Sequence, residues 1–263
     1  RGSCLLFHHA PPMNRVGLYQ RLIMKATIGS RIAATARRLR AALAATGMVA
    51  LLSWCQPLEA AVVDSWRATD FSGSLNNGDS VASWSSTGGR SLTATSASGL
   101  RPSFFSPVTP ADGPVVRFSQ DRLRRTDNSP VAGRTSFSIA IVFRLSGAGL
   151  GGLTQWYNNT GLVDAEQGGV TADWGAAVTA DGVIGWGIGQ PDLTLYLTNT
   201  PSLVDSNFHA AVFTWDDGEM GVFLDNQYSA TMAGASTLPR NNAGLAFGRL
   251  LTDANQALIG EIV

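Results

Sequence analysis

The sequence predicts an all-β protein, folded as a β-sandwich or a barrel. From Ala61 onward the 203 residues contain 25 glycines, and no long stretch has the apolar spacing of an amphipathic helix. About a dozen short apolar stretches recur at regular intervals, and several alternate strictly between apolar and polar residues. Gly, Asp and Asn, which favour tight turns, separate these stretches. Many short strands at regular spacing are typical of sandwiches and barrels.

Residues 24–60 of the 263-residue chain are interpreted as an export leader. Residues 24–60 contain a basic stretch from Lys25 to Arg40, an uncharged stretch from Ala41 to Trp54 and a short exit that ends in small residues. This order predicts a secretory signal peptide, which is cleaved after position 60 or 61. The uncharged stretch is shorter than the roughly 20 residues of a membrane-spanning helix, so we expect no membrane span in the mature chain. Residues 1–23 carry no recognisable signal and are interpreted as an over-extended or non-coding N-terminus, with Met24 as the true start.

The clearest strand is predicted over 136–145. Phe137, Ile139, Ile141, Phe143 and Leu145 alternate with residues that face the other way, as in a strand with one buried face.

Three hairpin turns are predicted at 216–219, 225–226 and 181–182, where Asp precedes Gly or Asn. Shorter strands are predicted at 62–68, 81–84, 92–95, 115–118, 193–197, 245–248 and 260–263.

Charge and cysteine content exclude several classes of protein. Residues 61–263 contain eleven Arg, no Lys and eighteen Asp or Glu, a net charge of −7. An acidic domain of this kind is not expected to bind nucleic acid, because affinity for nucleic acid depends on neutralising phosphates. Both cysteines, Cys4 and Cys55, precede this region, which excludes a disulfide or a cysteine-based metal site within it.

Several stretches in order resemble a known family. They include "SWRATDFSGSLNNGDSVASWSSTGG", "GPVVRFSQDRL", "SFSIAIVFRL", "GLVDAEQGGVTADWGAAVTADGVIGWGIGQPD", "FHAAVFTWDDGEMGVFLDNQ" and "LAFGRLLTDANQALIGEIV". Together they resemble a bacterial laminin G-like (concanavalin A-like) domain over residues 61–263. The resemblance implies a two-sheet antiparallel jelly-roll β-sandwich that binds glycans or other surface ligands. Family members continue beyond the segment that starts at Gly260, so we expect the last strand to be incomplete and further domains to follow.

An enzyme is the second alternative, because this fold also hosts glycoside hydrolases. Retaining hydrolysis uses two carboxylates about 5–5.5 Å apart, and Asp164 and Glu166 have the spacing of same-face residues on a strand. Glucanases of this fold show a longer acidic signature, Glu-x-Asp-x-x-Glu, and its first and last acids have no counterpart here. We therefore expect no catalysis. His209, the only histidine after residue 60, is expected to be a half-buried ring that is hydrogen-bonded at a sheet edge.

Four carboxylates are the candidate metal ligands: Asp164, Glu166, Asp173 and Asp192. Oxygen ligands without cysteine and with a single histidine favour calcium, and the family resemblance makes a calcium site at a loop rim plausible. The alternative is that Asp164 and Glu166 organise loop backbone or pair with arginines such as Arg144.

Candidate ligand contacts are Trp156, Tyr157, Asn158 and Asn159, which place two aromatic rings beside two amides in a Gly-rich segment. Sugars bind through an apolar face against such rings, with polar groups fixing their orientation. Trp156 and Tyr157 are expected to be exposed. The other tryptophans after residue 60 are expected in the core: Trp66, Trp84, Trp174, Trp186 and Trp215.

The sequence therefore predicts a secreted, non-catalytic module that binds carbohydrate or another extracellular surface ligand, with calcium as a possible stabiliser. The first alternative is a structural or adhesive spacer in a larger surface protein. The second is a glycoside hydrolase of the same fold.

Overall fold

The computed structural model describes residues 62–94, 101–106, 113–127, 129–169, 171–240, 244–249 and 257–263. The predicted signal peptide and residues 1–23 lie outside this range. Fifteen strands are formed within it: β1 Ser83–Ser85, β2 Ser91–Ala94, β3 Ser103–Phe105, β4 Val115–Ser119, β5 Leu123–Arg125, β6 Ser136–Leu145, β7 Thr160–Asp164, β8 Trp174–Val178, β9 Ile184–Ile188, β10 Leu193–Tyr196, β11 Phe208–Asp216, β12 Glu219–Leu224, β13 Tyr228–Ala233, β14 Leu245–Phe247 and β15 Ile259–Ile262. The described ranges also contain two 3-10 helices, Ala68–Phe71 and Trp156–Asn158.

The strands form two antiparallel sheets. One has eight strands in the order β1-β2-β5-β14-β7-β8-β9-β10, and the other has seven in the order β13-β12-β11-β6-β15-β4-β3. Neighbours in the sheets are often far apart in sequence, as in a jelly roll. The predicted fold, a two-sheet antiparallel jelly-roll sandwich of the concanavalin A-like type, is confirmed. No helix in the described ranges has the length and apolarity needed to cross a membrane.

The core lies between the two sheets and is rich in aromatic rings. Phe137 contacts the rings of Trp174, Trp186 and Trp215 at centroid distances of 5.6 to 6.0 Å. These three tryptophans and Trp84 are at most 1% exposed, and the partly buried Trp66 packs against the core. The core positions expected for the tryptophans are therefore confirmed.

The strongest local predictions correspond to the observed elements. Strand β6 covers the ten predicted residues with alternating burial, and the two turns of the β11-β12-β13 meander have positive φ at both central residues: Asp217 and Gly218, then Asp225 and Asn226. Strands β3 and β7 were not predicted. The strand predicted at 62–68 is wrong, because this segment has no strand and ends in a 3-10 helix.

Candidate functional site

The predicted aromatic contact Trp156 is buried on the outward face of the eight-stranded sheet. Gly175 on β8 and Gly187 on β9 pair with each other there, and the Trp156 ring lies over both. A Cβ at Gly175 would be 2.6 Å from the ring, and one at Gly187 would be 2.0 Å from it. Trp156 is 0% exposed, so the expectation of an exposed ring is wrong: two glycines without side chains leave a depression that the indole fills.

The second predicted amide, Asn159, is also buried. Its Nδ2 donates hydrogen bonds to the hydroxyl of Tyr196, at 2.6 Å, and to the carbonyl of Gln155, at 3.3 Å. The Tyr196 hydroxyl in turn donates to the carbonyl of Gly152, at 3.2 Å. Asn159 therefore ties the covering segment to β10. Of the four predicted contacts, Asn158 is exposed and Tyr157 is half-buried.

Three of the predicted metal ligands act on the hydroxyl of Tyr157 through their charges. Burial, followed by the charges of Asp192, Asp173 and Glu166, raises the pKa of Tyr157, and Asp192 shares a hydrogen bond with it. The structure thus places Asp192 next to the predicted aromatic segment, where its backbone carbonyl also accepts a hydrogen bond from Gln155 Nε2 at 3.4 Å. Sequence spacing alone did not place them next to each other.

The predicted alternative role of holding loop backbone is observed for Asp164, and Asp173, for which it was not predicted, has the same role. Asp164 Oδ1 accepts a hydrogen bond from the backbone N–H of Glu166 at 3.3 Å, and Asp173 Oδ2 accepts one from Gln167 at 2.9 Å. Asp164 is 0% exposed and Asp173 3%, and burial raises the pKa of Asp173 to about 6.

Among the described residues, no three His, Cys, Asp or Glu side chains are arranged so that they could hold one metal ion. Calcium binding stays a prediction from the sequence.

His209 is hydrogen-bonded, as predicted, but not on an edge strand. Its Nδ1 lies 2.7 Å from Asp225 Oδ2, and its Nε2 lies 3.0 Å from Asp205 Oδ1. β11 is an interior strand between β12 and β6, and the residue is 8% exposed. The ring sits near the start of the strand, where it joins the preceding loop to the turn between β12 and β13.

The outward face of the seven-stranded sheet is a surface that the sequence did not indicate. Its β6 side presents the exposed residues Ser136, Ser138 and Ala140. On β12 the half-buried Phe223 lies beside Gly221, and a Cβ at Gly221 would be 3.0 Å from the Phe223 ring. The glycine therefore makes room for an aromatic ring on the sheet.

Small and hydroxyl-bearing residues surround this ring. Phe223 pairs with Val212 on one side and with the exposed Ser229 on the other. The next outward position of β13, Thr231, is also exposed. An accessible apolar ring with hydroxyl groups beside it offers a ligand both an apolar face and polar contacts. Strand alternation could have placed Phe223 on this outward face, because its neighbours along the strand, Val222 and Leu224, are the residues that face the core.

Comparisons with known proteins add fold likenesses only. No protein-family model matches the chain, and no curated protein matches it in sequence. Among solved structures, domain 4 of the extracellular arabinanase AbnA from Geobacillus stearothermophilus, in complex with arabinotriose, has 14% identity and a TM-score of 0.49 over 71% of this chain and 90% of that chain. Domains LG4-5 of the mouse laminin alpha1 chain have 12% identity and a TM-score of 0.41 over 54% of this chain.

The carbohydrate-binding module CBM40 of a Ruminococcus gnavus sialidase, bound to α2,3-sialyllactose, has 14% identity and a TM-score of 0.37 over 48% of this chain and 72% of that chain. The match to the laminin domains, described above, spans only 37% of that chain. At these identities and TM-scores, ligands and activities do not transfer, and a proposal for function has to rest on this chain's own residues.

Proposed function

We propose that this chain is a non-catalytic carbohydrate-binding module of a secreted protein, and that it binds its ligand on the outward face of the seven-stranded sheet. The observation that carries the proposal is the half-buried ring of Phe223 beside Gly221, with the exposed hydroxyl side chains of Ser229 and Thr231 on the neighbouring strand. Secretion rests on the signal peptide predicted over 24–60.

The openness of this face supports a binding role. On β6, the outward residues from Ser136 to Ala140 are exposed, and on β13 so are Ser229, Thr231 and Ala233. The opposite sheet differs, because the segment that contains Trp156 covers its outward face over β8 and β9. An extended glycan can therefore reach the seven-stranded sheet directly.

A hydrolase is less consistent with the geometry. The pair with glycosidase spacing, Asp164 and Glu166, is 0% and 8% exposed, and Asp164 holds the backbone N–H of Glu166. The two carboxylates of a glycosidase must flank the bond they cleave. In their present positions these two have little access to a polysaccharide.

A glycan array followed by calorimetry tests the proposal. We expect binding to at least one glycan, and we expect Phe223→Ala to weaken it at least tenfold while far-ultraviolet dichroism and the melting temperature stay close to wild type. Tyr157→Ala is the matched control, since it removes an aromatic ring from the other outward surface. If Tyr157→Ala abolished binding and Phe223→Ala did not, the binding site would be the segment from Trp156 to Asn159 that the sequence predicts.

The competing functions give different results in the same assay. A folded protein that binds no plant, algal or host glycan, with or without calcium, would favour the structural spacer and overturn the proposal. Release of reducing sugar that Asp164→Asn or Glu166→Gln abolishes would instead show a hydrolase.

A further inference from the structure

One end of the outward seven-stranded face carries two arginines on either side of one glutamate. Glu261 on β15 pairs with Arg117 on β4 and with Arg144 on β6. Because β15 lies between β4 and β6, the three side chains form a row across three strands. We call this row the arginine row.

The glutamate is fully engaged by its two neighbours. Glu261 Oε1 accepts from Arg117 Nε at 2.9 Å and contacts Arg117 Nη2 at 2.8 Å. Its Oε2 accepts from Arg144 Nε at 2.9 Å and also from Arg144 Nη2. The Glu261 side chain is 5% exposed, against 47% for Arg117 and 33% for Arg144. The guanidinium groups, and not the carboxylate, therefore face the solvent.

Two aromatic rings hold the guanidinium groups in place. The Arg117 guanidinium carbon lies 3.9 Å from the centroid of the Phe105 ring, and that of Arg144 lies 4.5 Å from the Phe208 ring. Cation–π contact and a two-nitrogen contact with a carboxylate both restrict an arginine side chain. The two guanidinium groups of the row are therefore already oriented before a ligand binds.

The arginine row retains unused charge and unused donors. Two positive charges and one negative charge leave one positive charge in excess. Within the described part of the chain, neither Arg117 Nη1 nor Arg144 Nη1 takes part in a hydrogen bond. Of the acidic residues at the ends of this face, Asp216 and Glu219 pair at the other end of β11 and β12, while Asp225 and Asp205 at the near end are hydrogen-bonded to His209. Since Asp216 pairs with Ser136, eight residues from Arg144 on β6, the two ends are about 26 Å apart.

From this arrangement we infer that the arginine row recognises the carboxylate of an acidic sugar unit, so that the module binds carboxylate-bearing glycans in preference to neutral ones. This inference rests on the proposed function, because it names the ligand class for the same face. Residues 61–263 carry a net charge of −7, so general attraction of anions is not expected. Selectivity for an anion has to come from a local group, and the Nη1 groups that Glu261 leaves unused can donate to a carboxylate.

The sharpest test compares one glycan with and without its charge. Oligogalacturonate and its methyl ester share the same sugar backbone, and we expect the wild-type protein to bind the acid at least tenfold more tightly in 150 mM salt. Sialyllactose against lactose repeats the comparison with a different acidic sugar. A sulfated oligosaccharide without carboxylates separates carboxylate recognition from general attraction of anions.

Variants then locate the selectivity. Arg144→Gln and Arg117→Gln should lower the ratio of the affinity for the acid to the affinity for the ester to about one. Arg144→Lys keeps the charge that pairs with Glu261 but loses the guanidinium group, so it should stay folded and lose most of the preference. Arg134→Gln is the matched control, since Arg134 is exposed in a loop before β6 and its removal should change neither affinity.

The outcomes separate the two proposals. Equal affinity for acid and ester, with both lost in Phe223→Ala, would overturn the carboxylate inference and leave the glycan-binding proposal standing. Equal affinity for the sulfated and the carboxylated glycan would also overturn the inference. A folded protein that binds none of these glycans, and none on the array, would overturn both.

Discussion

The indole ring of Trp156 occupies the space that a side chain at Gly187 would need. A Cβ at position 187 would lie 2.0 Å from Cδ2 of the ring, and no side-chain atom tolerates that distance. We therefore expect Gly187→Ala to displace the fully buried indole. Overpacking in a core costs about 1–3 kcal/mol, and the loss of indole burial places this variant at the upper end of that range.

Urea unfolding at equilibrium measures this effect. Gly152→Ala is the matched control in the covering segment, because a Cβ there would meet nothing within 4 Å; we expect it to change the free energy of unfolding by less than about 0.5 kcal/mol. Equal stability of the two variants would show that the indole does not depend on the glycine.

This relationship also shows where sequence reasoning ends. The turns at Asp217-Gly218 and Asp225-Asn226 and the alternation of β6 are encoded by neighbouring residues, so they could be predicted. The burial of Trp156 depends on Gly175 and Gly187, which are 19 and 31 positions later in the chain. The local sequence, rich in Gly and amide residues, is the same whether the aromatic ring is exposed or packs on glycines of a sheet.

The candidate binding face illustrates the same limit at longer range. Arg117 and Glu261 are 144 positions apart and meet only because β15 inserts between β4 and β6. Phe223 could be placed on an outward face by alternation. The residues beside Phe223 on β13 and β11 are determined by strand pairing. The sequence predicts this pairing for the hairpins but not for the rest of the sheet.

Replacement of Arg240 should destabilise the sandwich strongly. Arg240 is 1% exposed, lies 4.4 Å from the centroid of the Trp215 ring and donates to the carbonyls of Asp173 and Gly189 at 3.3 and 3.2 Å. Burial lowers the pKa of Arg240 to about 10, so the group stays protonated at neutral pH. Arg240→Met removes this donor from both carbonyls, and among the described residues only that of Asp173 keeps another one, the backbone N–H of Gly189.

We expect a loss of about 2–4 kcal/mol for Arg240→Met, because buried acceptors that lose their partner retain the full cost of desolvation. Arg134→Gln, at an exposed position, should change the free energy of unfolding by less than about 0.5 kcal/mol. If the two arginine variants unfolded at the same urea concentration, Arg240 would not be the tether that its contacts suggest.

Neutralising Asp173 should stabilise the protein at alkaline pH. Burial raises the pKa of Asp173 from 3.8 to about 6, so the folded state holds this proton more tightly than the unfolded state does. The stabilising effect of protonation is complete below about pH 3.8 and is lost as the pH rises through about 6. A shift of this size corresponds to about 3 kcal/mol at pH 8.

Asp173→Asn keeps an oxygen for the N–H of Gln167 and removes the charge. We therefore expect the variant to be more stable than wild type by up to about 3 kcal/mol at pH 8 and equally stable at pH 3.5. Melting temperatures across this range, with Asp181→Asn at an exposed turn as the control, provide the measurement. A variant that is less stable than wild type at pH 8 would contradict the argument.

His209 should give a second, separate loss of stability at higher pH. Burial disfavours its charged form, but hydrogen bonds to Asp225 and Asp205 and the charges of these two residues outweigh burial and raise the pKa of His209 above 6.5. The bonds are 2.7 and 3.0 Å long. The stabilising effect is complete below about pH 6.5 and is lost as the pH rises through the raised pKa.

His209→Gln removes the titrating group and should flatten the stability profile above pH 6.5, whereas Asp173→Asn should flatten it only between about pH 4 and 6. Unfolding followed at half-unit steps from pH 3.5 to 9 separates the two windows. A decline above pH 6.5 that persists unchanged in His209→Gln would show that another group causes it.

The predicted calcium site can be tested by the same melting measurement. The charges of Asp192, Asp173 and Glu166 act on one hydroxyl, that of Tyr157, and a divalent cation among them would offset their mutual repulsion. The sequence-based prediction is that millimolar calcium raises the melting temperature, because a ligand that binds only the native state stabilises it. The stabilisation is about 2.7 kcal/mol when calcium is in hundredfold excess over its Kd.

Glu166→Gln and Asp192→Asn should abolish the rise, while Asp181→Asn, at an exposed turn, should leave it unchanged. An identical melting temperature in calcium and in chelator would refute the calcium prediction, and a rise that survives both variants would place the ion elsewhere.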